Sequence, residues 1–151
     1  MTRTSQLKNQ SGMMLIEALI GILIFSIGIL ALIAMQATAI TNTTESRYRT
    51  EASFLANQII GQIWVDRGTN NANIAAYDTT TGAGTTALTA WTTKVAATLP
   101  GVTVGGTNSP TIAVTTVGGA RQVVVTVFWQ RPDSNAPVRN FTAIAQIAGN
   151  N

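Results

Sequence analysis

The sequence predicts an α+β protein, a long amino-terminal helix whose outer half carries a small antiparallel β-sheet. Three observations predict it. Met13 to Met35 is an apolar run of 23 residues holding one charge, Glu17, one serine, Ser26, and two glycines, Gly21 and Gly28. Behind it, apolar residues recur at helical spacing, with no proline before Pro100. Near the carboxyl end, three β-rich runs are separated by turn signals.

The apolar run is long enough to cross a bilayer, which takes about 20 such residues. Polar residues precede it, with Arg3 and Lys8 and no acid, so the amino end is expected in the cytoplasm and the remainder outside it. Beyond Met35, Tyr48, Ala52, Leu55, Ile59 and Ile63 recur in steps of 4, 3, 4 and 4, one stripe of an amphipathic helix. Glu45/Arg49 and Arg47/Glu51 are read as i,i+4 ion pairs on its wet side. The simplest reading is one helix from Met13 to about Val65, roughly 80 Å long at about 1.5 Å per residue. A bend near Thr41–Thr44 is the alternative. Arg67-Gly68 and the asparagine-rich run after it are expected to end the helix.

Asp66 to Gly84, rich in Asn, Thr, Ala and Gly, reads as a long loop. Leu88, Trp91, Val95 and Leu99 mark a short helix stopped by Pro100-Gly101, with Trp91 expected in the core. Thr111–Val117 reads as a strand and Gly118-Gly119 as a hairpin turn. Arg121–Arg131 is a second strand with Val123, Val125, Val127 and Trp129 on one face. Pro132–Pro137 is a loop, and Phe141, Ala143, Ala145 and Ile147 alternate along a last strand. The result is a meander of three or four strands with one face covered by the long helix. The expected organisation is a leader over 1–12, an apolar half-helix over 13–36, an amphipathic half over 37–65 and an exported domain over 66–151.

Composition sets limits on chemistry. Hydrophobic residues are 46% and charged residues 10%, well under the usual share of about 25%. The net charge is +3, too small an excess for a nucleic-acid binder. There is no His and no Cys, and the exported region holds only Asp66, Asp78 and Asp133 as carboxylates, scattered singly. No base and partner stand in a recognisable motif, so no catalytic residue, metal site or cofactor is expected. The aspartates are read as solvated loop residues. Arg121, Arg131 and Arg139 flank strands and are read as solvated strand ends rather than a nucleic-acid patch.

Glu17 is the residue to explain. A charge at the centre of a spanning helix costs about 2.5–3.5 kcal/mol on insertion scales, and less near an end. A cleaved secretory signal, with Ala37-Thr38-Ala39 as its cut site, has an apolar core of about 7–15 residues, shorter than this one. A plain membrane anchor accounts for the length and has no use for the acid. A cut after Gly12 accounts for both. It frees an α-amine on Met13, and Glu17 lies four residues on, on the same helix face one turn away. The acid could then pair with the amine of its own chain or of a neighbour.

Gly12-Met-Met-Leu-Ile-Glu17 followed by an apolar helix resembles the class III signal of type IV pilins and pseudopilins. The segment 52–57, Trp91…Leu99-Pro100-Gly101 and the VTVFW strand make the chain most similar to PilV-type minor pilins. The resemblance implies the pilin fold, and a membrane-embedded prepilin peptidase that cuts between Gly12 and Met13 on the cytoplasmic side. It further implies N-methylation of Met13, a register role for Glu17 and helix packing at Gly21 and Gly28. In the family the first mature residue is usually Phe, and many members carry a helix-breaking Pro where this chain has Ala34. The implied function is that of a non-enzymatic minor pilin that helps initiate pilus assembly at or near the tip. Its implied partners are the peptidase, other minor and major pilins, a tip protein and the inner membrane. The protein would sit first in that membrane, with its carboxyl-terminal domain in the periplasm, and then in the pilus at the cell surface. A type II secretion pseudopilin and a membrane-anchored periplasmic ligand-binding domain are the alternatives.

Overall fold

A computed structural model describes residues 10–81, 84–133 and 135–148. Helix α1 spans Gln10–Asp66 without interruption, one helix where two were the alternative. Serine and threonine hydroxyls along it could compete with the backbone. Six of them, those of Ser26, Thr38, Thr41, Thr43, Thr44 and Thr50, donate to the carbonyl four residues back at 2.7–3.1 Å. That pattern satisfies each hydroxyl inside the helix, and it explains why a threonine-rich stretch stays helical. The chain divides into two units, 1–44 and 45–151. The first, where described, is the apolar helix alone.

The second unit is built on the outer half of α1. Ala52, Leu55, Ala56, Ile59 and Ile63 are buried along one stripe, with Tyr48 packed against its edge. The helix ends where the side-chain amide of Asn73 donates to the Asp66 carbonyl at 3.0 Å and the Asn73 N–H donates to the Arg67 carbonyl at 3.1 Å. Gly68 between them has φ 68°, and a Cβ there would stand 2.9 Å from Asn73 Nδ2, so this turn requires glycine.

The stretch expected as a long loop is instead two short 3-10 turns, Thr69–Asn71 and Ile74–Tyr77. Ile74 and Tyr77, three residues apart, eclipse one another on such a turn and are both buried in the core. Helix α2, Thr86–Thr98, starts where the Thr85 hydroxyl accepts the Leu88 N–H at 3.0 Å. Its stripe of Leu88, Trp91 and Val95, continued by Leu99, is buried as expected. Trp91 is a core residue, and its indole N–H donates to the Leu55 carbonyl on α1 at 2.9 Å.

Strands β1 (Thr111–Val117), β2 (Ala120–Trp129) and β3 (Arg139–Ile147) form a three-stranded antiparallel meander in the order β1-β2-β3. Gly118 and Gly119 both have positive φ, 57° and 82°, as a tight primed hairpin turn demands. Val123, Val125, Val127 and Trp129 face inward and are buried together with Ile112 and Ile147.

Candidate functional site

The first candidate site is the apolar half of α1. Every residue from Gly12 to Ile40 is exposed, and the large side chains are strongly so, from Ile29 at 41% to Met13 and Met14 at 73%. The helix is long and apolar enough to cross a membrane. Glu17 lies on this surface, one turn beyond Met13, in the first third of the apolar run. Gly12, Gly21 and Gly28 stand in open space, since a Cβ built on any of them meets nothing within 4 Å. The small residues therefore leave shallow sites where another helix backbone could approach. Residues 1–9 of the expected leader lie outside the described residues, and the helix runs through the Gly12–Met13 bond.

The second candidate is the polar ring around the sheet unit, where several side chains differ from their expected roles. Glu45 was expected to pair with Arg49. It faces β2 instead, where its Oε2 accepts the Trp129 indole N–H at 3.2 Å and its Oε1 lies 3.0 Å from Arg131 Nε. The Arg131 contact is an ion pair whose N–H is not aligned on the oxygen. Both side chains keep about a quarter of their surface exposed. The Arg47/Glu51 pair, also expected, does not come within ion-pair distance. Among the described residues the Glu45–Arg131 contact is the one ion pair.

Of the three aspartates, Asp133 is the exposed loop residue expected, whereas Asp66, also exposed, and the buried Asp78 each hold specific partners. Asp66 Oδ2 accepts the Tyr77 hydroxyl in a very short hydrogen bond. Burial, with the carboxylate of Asp66 alongside, pushes the Tyr77 phenol up to about 12. Asp78 is buried, 7% exposed. Its Oδ1 accepts Thr80 N, Thr80 Oγ1 and Thr81 N at 2.8, 2.5 and 3.3 Å, and its Oδ2 accepts Val114 N on β1 at 3.2 Å. Burial works to raise its pKa, but these bonds to Thr80, Val114 and Thr81 outweigh burial and hold it below the usual carboxylate value. A shallow cavity of about 500 Å³ beside Val65, Asp66, Tyr77 and Thr85 holds no convergent set of catalytic groups. Among the described residues no cluster of three or more His, Cys, Asp or Glu could hold a metal.

The arginines do not gather. Arg121 pairs across from Ile147 at one end of the sheet, while Arg139 pairs across from Trp129 at the other, eight residues along, roughly 27 Å at strand spacing. Arg121 donates to Thr116 Oγ1 at 3.1 Å, and Arg131 is committed to Glu45. Compared with known proteins, the chain matches no family model, no curated protein and no solved structure.

Proposed function

We propose that this chain is a minor pilin of a type IV pilus, a structural subunit that is processed between Gly12 and Met13 and helps start a helix-packed fibre at or near its tip. The observation that carries the reading is one continuous helix with two different halves. The first is wholly uncovered, apolar, and marked by a single carboxylate, Glu17. The second is the spine of a small sheet domain.

The physical mechanism follows from the acid. Removal of 1–12 would leave the Met13 amine as a cation one turn from Glu17. Among apolar helices, where water is scarce, a carboxylate and an ammonium attract strongly and each is costly alone. A neighbour that offers its amine to Glu17 fixes how far one helix slides along the next, which apolar contact alone does not. Ser26 is the other polar side chain in the run, and it is already satisfied by the Ile22 carbonyl at 2.7 Å. Glu17 is thus the one group there that calls for a partner from outside its own helix. In this reading the prepilin peptidase makes the cut in the inner membrane, Met13 is methylated, and other pilins supply the neighbouring helices. Gly21 and Gly28 allow close approach, and a tip protein completes the priming complex.

The test is Glu17→Ala in the native host. Membrane insertion and processing should be unchanged, and recovery of the subunit in sheared fibres should fall severalfold. Undiminished incorporation of the variant would defeat the pairing role.

A further inference from the structure

We propose that the outer edge of β3 is a docking site for an extended segment of a different polypeptide, which adds to the sheet as a fourth strand. The starting point is an asymmetry between the two edges of the meander. In an antiparallel sheet alternate residues turn their N–H and C=O groups to opposite sides. On β1 the outward groups are those of Ile112, Val114 and Thr116, and over the first half of the strand they are occupied. Thr79 N–H donates to the Ile112 carbonyl at 2.9 Å, Ile112 N–H donates to Thr79 Oγ1 at 3.0 Å, and Val114 N–H donates to Asp78 Oδ2 at 3.2 Å. Two residues of the preceding loop plug the first half of this edge.

The register fixes what β3 presents. Since Ile112 and Val114 point outward, Thr111, Ala113 and Thr115 bond β2 through Thr126, Val124 and Gln122. The odd-numbered residues of β2 then face β3, and Val123, Val125 and Val127 bond Ala145, Ala143 and Phe141. The groups left on the outer edge are the N–H and C=O of Asn140, Thr142, Ile144 and Gln146. Among the described residues none of these main-chain groups has a hydrogen-bond partner.

Four N–H and four C=O groups in strand spacing are the recognition code for another extended backbone. The usual devices that protect an edge are missing here. Arg139 places one charge at the start of the strand, but from Asn140 to Ile147 there is no charge, no proline and no bulge. The core beneath is also open on this side. Phe141, Ala143 and Ala145 face inward yet stay half-buried, whereas their partners Val127, Val125 and Val123 are fully buried. The occupant is therefore an uncharged strand of about seven residues with apolar side chains on its inward face.

A second copy fits poorly. Antiparallel pairing of two β3 edges needs a twofold axis normal to the sheet, which reverses the 45–66 stretch of the second chain. Two chains anchored in one membrane cannot meet so, and this step alone rests on the membrane reading. Parallel pairing turns the second sheet over and sets the outer face of its β3, where Asn140, Thr142 and Gln146 are polar and Ile144 is apolar, beside Phe141 and Ala143. Pairing of β3 with β1 of another copy is obstructed at Ile112 and Val114 by Thr79 and Asp78.

The test is amide hydrogen exchange on the full-length chain in detergent micelles. The probe is an eight-residue peptide of alternating valine and threonine, N-methylated on its threonine amides so that one edge alone can pair. It should slow exchange at Asn140, Thr142, Ile144 and Gln146 by roughly tenfold or more. A twin methylated on every amide should have no effect. Thr142→Pro and Ile144→Lys should each abolish the protection, and Thr115→Lys on the plugged edge should keep it. Near-ultraviolet circular dichroism of Trp91 and Trp129 checks folding, and Ile144→Lys decides if the proline variant unfolds. Unchanged exchange with the probe, or protection that survives Ile144→Lys, overturns the site. Ready disulfide dimers of Thr142→Cys in the otherwise cysteine-free chain, without any probe, overturn the assignment to a different polypeptide.

Discussion

The two halves of helix α1 have the same backbone and opposite fates. From Met13 to Met35 the apolar residues surround the helix, and none of them is covered. From Glu45 to Asp66 one apolar stripe, Ala52, Leu55, Ala56, Ile59 and Ile63, is covered completely, while Phe54, Trp64 and Val65 stay exposed. The difference teaches where each half obtains its stability. The outer half is held by its own domain, through side-chain packing and through two indole hydrogen bonds, Trp91 to the Leu55 carbonyl and Trp129 to Glu45. The inner half has only its internal backbone bonds, so lipid or other helices must solvate its side chains.

That contrast can be broken by paired substitutions. Ile59→Ala should cost the domain about 2–5 kcal/mol, because it leaves a cavity in a closed core. Ile24→Ala, the same change on an exposed residue of the inner half, should leave the thermal midpoint of the domain unaltered. Calorimetry of both variants in detergent checks the pair, and equal destabilisation would mean that the halves are not energetically separate.

A smaller effect concerns Asp78. Its folded pKa is held below the unfolded one, so it stabilises the domain above the ordinary aspartate value, about 3.9. That contribution is lost as the pH falls through the folded value. Asp78→Asn should lower stability at neutral pH by about 1–3 kcal/mol and flatten the acid limb of the stability curve. Chemical denaturation across pH 2 to 7, roughly the span of carboxylate titration, gives the comparison. Tyr77 acts at the other end. Raised to about 12, its phenol contributes stability that is whole below pH ~10 and lost as the pH climbs through the folded value.

The smallest effect belongs to Glu45. Its ion pair with Arg131 is partly exposed, and such pairs contribute about 0–1 kcal/mol. Glu45→Gln keeps an acceptor for Trp129 and should shift the midpoint by at most a degree or two, a size typical of a few tenths of a kcal/mol.

Much of the fold was legible in the sequence because period decides it. The steps of 3 and 4 from Tyr48 to Ile63 named the buried stripe of α1, and the alternation from Val123 to Trp129 named the inner face of β2. Gly118-Gly119 marked its turn. The stretch from Asp66 to Gly84 reads as a long loop but holds two 3-10 turns. Its polar composition hid two apolar residues, Ile74 and Tyr77, whose spacing of three suits a 3-10 turn and carries them into the core. Asp78 was misread for a related reason. Its partners include Val114, 36 residues away, and no local pattern announces such a bond. Glu45 was assigned to the nearer Arg49, because helix spacing shows i,i+4 neighbours and is blind to Trp129, 84 residues on. As for the candidate site, Glu17, Gly21 and Gly28 were conspicuous as departures from an apolar run. The open edge of β3 could not be read in advance, since it depends on which strand the loop happens to plug.

The central claim is that Glu17 belongs to a helix whose true beginning is Met13. Intact-mass spectrometry of the protein extracted from its native membrane tests this most directly. The expected result is a mature chain that begins at Met13, lacks Met1–Gly12 and carries one added methyl group. A chain that still carries Arg3 and Lys8, or one that begins at Ile40, would contradict it.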